Sequence, residues 1–220
     1  MSTCVRDFLL FQLNFRLLVT LCSLLIFTGC SHGVSTDDAP LRDRILLGSL
    51  SFDDRALESC IAGTAISSGW LYVDEVTQLH CSGRHITSLE GMQVFEHSPL
   101  SALFLLKNDI TDLRPIARLN NLTELALSGN KITDTSALRD LTKLVMLDLG
   151  GNNIEDMFPL VGLEVLLLQN NRISNVAMLY QLSQLSYVDL GSNVSIPCWQ
   201  LEDLAGTLTT TSVTYGRCSG

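Results

Sequence analysis

An asparagine returns in one frame through the middle of the chain, and this recurrence limits the available folds more than any other feature. Asn108, Asn130, Asn152, Asn171 and Asn193 follow one another at steps of 22, 22, 19 and 22 residues, and an earlier copy carries Arg84 in the same place. Three apolar residues at a fixed 3,2 spacing precede each one: Val76, Leu79 and Cys81, then Leu100, Leu103 and Leu105, then Leu122, Leu125 and Leu127. The set recurs as Leu144, Leu147 and Leu149, as Leu163, Leu166 and Leu168, and as Leu185, Val188 and Leu190. Ile110, Ile132, Ile154 and Ile173 stand two residues past the asparagine. A period near 22 residues is the mark of a solenoid, in which each coil buries its apolar face on its neighbour.

The frame has a physical reading. In a strand, side chains alternate between faces, so the two leucines of "LxL" point inward and the residue between them points out. At about 1.5–3 kcal/mol per buried leucine, one coil cannot offset its ordering entropy, whereas a stack can. Past the strand the chain turns inward and leaves backbone amides and carbonyls that no ladder pairs. An asparagine carries two donors and an acceptor on a short side chain, so it can satisfy such groups in its own coil and the next. It must therefore recur once per coil. Arg84 cannot bury in this way, which suits an end coil.

The frame LxxLxLxxNxI resembles the leucine-rich repeat, in the 22-residue class of the internalins of bacterial surfaces, over about residues 76–196. The resemblance implies an α/β fold: a leucine-rich repeat solenoid forming a short horseshoe. A parallel β-sheet would line its concave face, with short turns or 3-10 segments on the convex face. The expected organisation is a signal peptide (1–29), lipid attachment and flexible tether (30–50), N-terminal cap (51–75), six repeats (76–196) and C-terminal cap (197–220).

The start of the chain has signal-peptide anatomy. "LLVTLCSLLIFTGC" (17–30) is uncharged, follows Arg6 and Arg16, and ends in small residues; a membrane anchor starting near Phe8 is interrupted by Gln12, Asn14 and Arg16. "FTGC" resembles the lipobox of bacterial lipoproteins, with Phe27 where that pattern usually has leucine, and implies a lipid on Cys30. The alternative is ordinary cleavage near Gly29. Ser31 in place of an aspartate implies, by the same resemblance, an outer-membrane lipoprotein facing the periplasm or the cell surface. Several acyl chains make such attachment durable, at ~0.8 kcal/mol per buried methylene.

Of seven cysteines, Cys60, Cys81, Cys198 and Cys218 remain beyond the signal and the lipid site. An even number in an exported chain predicts disulfides, and grouping before and after the repeats favours Cys60–Cys81 and Cys198–Cys218. Each would close a loop of roughly 20 residues, worth ~3 kcal/mol. Zinc held by Cys81 with His80, His85 and His97 is the competitor, without CxxC or HxxxH spacing to support it.

Arg6, Asp7 and Arg16 are the charged residues of 1–29, so of 14 basic and 23 acidic residues the remainder keeps 12 and 22, a net charge of −10. With no basic cluster, such a surface repels phosphate backbones and excludes nucleic acid as a partner. Asp112, Asp134, Asp156 and Asn175 sit four after the ladder asparagine. One carboxylate per coil is too few for calcium, so capping of a convex turn is the better reading. The 19-residue copy "NNIEDMFPLVGLEVL" predicts one lost convex turn with the strand face undisturbed. At the ends, "FDDRALESCIAGTA" (52–65) places Leu57, Cys60, Ile61 and Ala65 on one helical stripe, and Trp199, Leu201 and Leu204 are expected to cover the last coil.

No GxSxG, HExxH, P-loop or helix-opening GxGxxG occurs, so the expectation is no enzyme, with no catalytic residue, metal or cofactor. The outward strand columns read Gln78, Ala102, Glu124, Met146, Val165, Tyr187; His80, Phe104, Ala126, Asp148, Leu167, Asp189; and Ser82, Leu106, Ser128, Gly150, Gln169, Gly191. Phe104, Leu106, Met146, Val165, Leu167 and Tyr187 are apolar where solvent is expected, which together with Asp148 and Asp189 marks a candidate contact surface for a protein or a glycan. Two alternatives stand beside it: a self-associating envelope component without a dedicated ligand, and a host-directed adhesin.

Overall fold

The computed structural model describes residues 44–158, 160–208 and 211–216; the signal segment, Cys30 and Cys218 lie outside them. Helix α1 (Arg55–Ser68) is followed by strands β1 (Gln78–His80), β2 (Ala102–Phe104), β3 (Glu124–Ala126), β4 (Met146–Asp148), β5 (Val165–Leu167) and β6 (Tyr187–Asp189). Helix α2 (Cys198–Thr207) and strand β7 (Ser212–Thr214) complete the order. The seven strands form one parallel sheet in chain order, with every coil in the same register: Leu79, Leu103, Leu125, Leu147, Leu166 and Val188 lie side by side, and Val213 follows. Short 3-10 segments at Met92–Phe95, Arg114–Ile116, Ser136–Leu138 and Ala177–Gln181 lie between successive strands.

The interior is one continuous apolar column. Leu103, Leu105, Leu127, Leu147, Leu149 and Leu166 are all fully buried, with Ile110, Ile132 and Ile154 closing the column behind them. The residue before each ladder asparagine (Lys107, Gly129, Gly151, Asn170 and Ser192) takes a left-handed backbone with φ between 54° and 72°. That conformation turns the chain into the coil, and it explains the glycine of "SGN" and "GGN", where a side chain would cost strain.

The five asparagines are buried and stacked by hydrogen bonds. The Asn130 amide donates to Leu127 O in its own coil (2.8 Å) and to Leu105 O (3.0 Å), while its Oδ1 accepts from Ile110 N (3.0 Å). Asn152, Asn171 and Asn193 repeat the pattern on Leu127, Leu149 and Leu168 and on the amides of Ile132, Ile154 and Ile173. One expectation is thereby corrected. The second coil served is the preceding one, not the next, because the inward turn points the amide back toward carbonyls already placed. Each shared leucine carbonyl consequently accepts from two asparagines, as Leu105 O does from Asn108 and Asn130.

Three members of the aspartate column cap turns, while Asp156, in the short coil, opens no 3-10 segment among the described residues. Asp112 Oδ1 accepts from Arg114 N (2.9 Å), Asp134 Oδ1 from Ser136 N (2.8 Å) and Asn175 Oδ1 from Ala177 N (2.8 Å), each at the start of a 3-10 segment. Between β4 and β5, the 19-residue step, no 3-10 segment occurs among the described residues, and Leu147 still pairs with Leu166. The shortcut is tight. A methyl group at Gly162 would lie 2.8 Å from Thr142 O and 3.3 Å from Leu144 O, against backbone that cannot swing away. Gly162→Ala is expected to cost about 1–3 kcal/mol of overpacking, read as a lowered urea midpoint.

At the N-terminal end, α1 lays Leu57, Cys60, Ile61 and Ala65 against the first coil, and Cys60 is bonded to Cys81. The disulfide withdraws Cys81 from the zinc alternative. Asp54, which sequence reading passed over, ties the helix down: it accepts from Ala56 and Leu57 N, and from Thr87 N, Thr87 Oγ1 and Ser88 N of the first coil. Burial pushes its carboxyl up, but these donors outweigh burial and hold it below the usual carboxylate range. Its contribution to stability is therefore present above the unfolded-state value and lost as pH falls through the folded one.

At the other end Leu201 and Leu204 are buried, but Trp199 is 66% exposed, a second correction. Trp199 is two positions from Leu201, which is about 200° of helix, so it faces away from the covered side. Strand β7 was also not anticipated.

Candidate binding surface

Because strands alternate, the first and third residues of β1–β6 face outward while the middle one enters the core. Two outward rows follow from the register. The first runs Gln78, Ala102, Glu124, Met146, Val165, Tyr187 and Ser212; the second runs His80, Phe104, Ala126, Asp148, Leu167, Asp189 and Thr214. Ser82, Leu106, Ser128, Gly150, Gln169 and Gly191 continue the strands toward the turn.

The candidate residues fall into two groups. Met146, Val165, Leu167 and Tyr187 occupy adjacent strands β4–β6, with neighbours about 4.8 Å apart. Asp148 and Asp189 flank Leu167 on either side. Phe104, on β2, and Leu106, two residues past it, stand apart, with Glu124, Ala126 and Ser128 between them and the cluster. The Phe104 ring is stacked on His80, with centroids 4.5 Å apart. All the apolar candidates are half-buried, since strand neighbours shield one another. Ala126 and Asp148 go further and are 3% and 8% exposed, so the middle of this face is packed.

Electrostatics separate this face from the rest. Neither outward row nor the third column contains a lysine or arginine. Glu124, Asp148 and Asp189 make no ion pair among the described residues. Asp148 Oδ1 accepts from Gly150 N (3.0 Å) and Asp189 Oδ1 from Gly191 N (2.9 Å); Asp148 also faces the Ser128 hydroxyl, whereas Asp189 keeps a second oxygen. The Gln169 side chain lies over Gly150, and its Oε1 is buried without a partner among the described residues. The Tyr187 hydroxyl is 3.4 Å from Thr214 Oγ1 on β7.

Burial pushes the Asp148 carboxyl above its ordinary range, against the Gly150 N–H and the Ser128 hydroxyl, which favour the charged form. A raised folded value means that the group's favourable contribution is complete below the unfolded-state value and is lost as pH rises through the folded one. Asp148→Asn keeps the acceptor for Gly150 N and removes the charge. It is expected to be more stable than the parent at about pH 7 and level with it near pH 3, by thermal melts at both. An equal gain at the two values would refute the assignment.

Among the described residues, no three His, Cys, Asp or Glu side chains gather where a metal could be held, and no helix is long and apolar enough to cross a membrane. Cys30 and Cys218 lie outside the described residues, and with them the lipidation and the Cys198–Cys218 pair; Cys198 itself opens α2.

Comparison with known proteins bears on the fold. The family model for leucine-rich repeats (two copies) matches residues 120–160. An internalin (inlF) from Listeria monocytogenes aligns over 80% of this chain and 59% of its own, with 24% identity and a TM-score of 0.58. An internalin C2 (inlC2) of the same organism aligns over 80% and 91%, with 25% identity and a TM-score of 0.56. The functional domain of InlJ, also from Listeria monocytogenes and described as including a cysteine ladder, aligns over 70% and 35% with 24% identity and a TM-score of 0.59. The chain thus spans under two thirds of the inlF and InlJ structures. No curated protein matches the sequence.

Proposed function

We propose that this leucine-rich repeat protein of the internalin-like class is a bacterial envelope lipoprotein, held by an acylated Cys30, that binds a protein through the outward face of its sheet. The leucine-rich repeat is a protein-interaction scaffold, and the fold supplies a sheet surface whose outward residues differ from coil to coil. One observation carries the reading. Met146, Val165, Leu167 and Tyr187 form an apolar cluster beside Asp148 and Asp189, on a face with three carboxylates and no lysine or arginine. A complementary partner presents an apolar side chain next to a lysine or arginine. Such a cation would find the second oxygen of Asp189, whose carboxylate is already oriented by Gly191 N. Glycan recognition would use the same aromatic and carboxylate groups but gains less from Met146 and Val165.

Two measurements test the reading. Cross-linking in intact cells, followed by recovery of the full chain, is expected to capture one dominant partner. Leu167→Asp or Tyr187→Asp is expected to lose it with the circular-dichroism spectrum unchanged, while Phe104→Asp on the separate β2 group loses less. Loss of self-association alone in these variants would instead favour the envelope-structural alternative. Mass spectrometry of the membrane-purified protein is expected to find acyl groups on Cys30, and an unmodified N-terminus at another residue would remove the anchor.

A further inference from the structure

A second apolar surface lies at the N-terminal end, away from the strand rows. Two stretches, "ILLGSLSF" (45–52) and "SCIAGTAISSGWLYV" (59–73), contain no charged residue in a chain that is 17% charged. The fold brings them together: Leu47 N donates to Leu71 O and Val73 N to Ile45 O, both at 2.9 Å, and Leu46 bridges Tyr72. On the outer side Ile45, Leu46, Ile66 and Leu71 are 47, 50, 83 and 63% exposed. Leu46, Ile66, Trp70 and Leu71 wall an open groove of about 530 Å³ floored by Leu47 and Ala65, and no charged side chain lines it. Single exposed aliphatics are ordinary, but four around one groove form a patch of the kind that meets another apolar phase.

The route of the chain identifies that phase. The groove wall at Leu46 is two positions from Arg44, and Arg44 is 14 positions from Cys30. Fully extended, that stretch reaches at most about 50 Å. On the lipid-anchored reading, on which this inference rests, the uncharged end is therefore confined near the bilayer whatever path the tether takes. We infer that this end of the solenoid docks on the membrane surface, with Ile66 and Leu71 entering the acyl region and a lipid chain occupying the groove beside Trp70. A tryptophan at the edge of an aliphatic patch suits the water–lipid boundary. The net charge of −10 beyond residue 29 disfavours anionic headgroups, so docking is apolar, insensitive to salt and strongest on zwitterionic lipid.

The chain holds two tryptophans, so a Trp199→Phe background leaves Trp70 as the reporter. The full protein purified from membranes is reconstituted in phosphatidylcholine vesicles with or without brominated acyl chains. Trp70 emission is expected to fall by roughly half in the brominated vesicles, because docked side chains sit about 5–10 Å into the interface. Added salt leaves the quenching unchanged. Ile66→Asp with Leu71→Asp is expected to abolish it, while Val194→Asp, at an apolar residue 93% exposed elsewhere, is expected not to. Flotation and the mass of the N-terminal peptide, recorded on the same sample, report on the anchor separately. An acylated protein that floats with Trp70 unquenched overturns the docking and leaves the anchor standing. An unacylated protein whose Trp70 is still quenched, with loss in the Ile66/Leu71 variant, upholds the apolar docking and removes the anchor. Absence of quenching together with a dimer that the Ile66/Leu71 variant dissolves assigns the surface to a second copy, and overturns the inference.

Discussion

Asn108→Ala is expected to lose about 4 kcal/mol of stability, and Asn130→Ala about 3 kcal/mol, since a buried group stripped of its partner costs about 1–3 kcal/mol. The order follows from sharing. When Asn130 is removed, Leu105 O keeps the Asn108 amide and Leu127 O keeps the Asn152 amide. The buried Ile110 N–H is then the group deprived of its side-chain acceptor. Asn108 has no asparagine behind it, because Arg84 occupies that place. Its removal takes the side-chain donor from Cys81 O (2.9 Å) and the acceptor from both Arg84 N and Ile86 N (2.9 and 3.1 Å). Urea titration of the two variants checks the ranking. Equal losses, or a larger loss at Asn130, would show that the shared carbonyls do not buffer the ladder. Asn130→Asp offers a second check: it preserves the acceptor for Ile110 N but sets a carboxylate against two carbonyl oxygens. It should be no better than alanine at neutral pH and should recover as the pH is lowered.

The second large effect is expected at the Cys60–Cys81 bond. The two cysteines are 1% and 0% exposed, their Cα atoms are 5.7 Å apart, and they are separated by 21 positions. Replacing both with alanine is expected to cost about 3 kcal/mol, the chain-entropy value for a loop of this size. The loss should be local. The bond fastens α1 to β1, and α1 keeps Leu57 and Ile61 on the end of the leucine column, where Leu79 would otherwise meet water. Hydrogen exchange is expected to quicken in α1 and β1 well before β3–β5. A uniform acceleration along the chain would instead mean that the solenoid unfolds as one unit and that the bond guards all of it.

How much of this was legible beforehand depends on which groups repeat. The leucine frame, the asparagine column and the aspartate caps are periodic, a period survives any single substitution, and the short coil shows as the one break in it. Features that occur once were harder to read. Strand β7 carries Val213 without the flanking leucines, so nothing in "TSVTY" announced a parallel strand continuing the sheet. Trp199 looked like a lid because it is large and apolar, whereas helical phase decides its direction. Asp54 was invisible because its partners Thr87 and Ser88 lie more than 30 residues away. The outward face was legible as columns but not in its burial. Two-residue alternation identifies which way Asp148 points, yet it cannot report that Ala126 and Leu167 crowd it from both sides.

The backward direction of the asparagine bonds has a consequence for biogenesis. Each of Asn130, Asn152, Asn171 and Asn193 closes on atoms that precede it in the chain. The dependence also runs the other way: the Ile110 N–H reaches its acceptor only when Asn130 arrives, and Leu105 N only when Ala126 O does, so each coil is completed by its successor. Growth by accretion would leave the newest coil with open donors until one more has been laid on it.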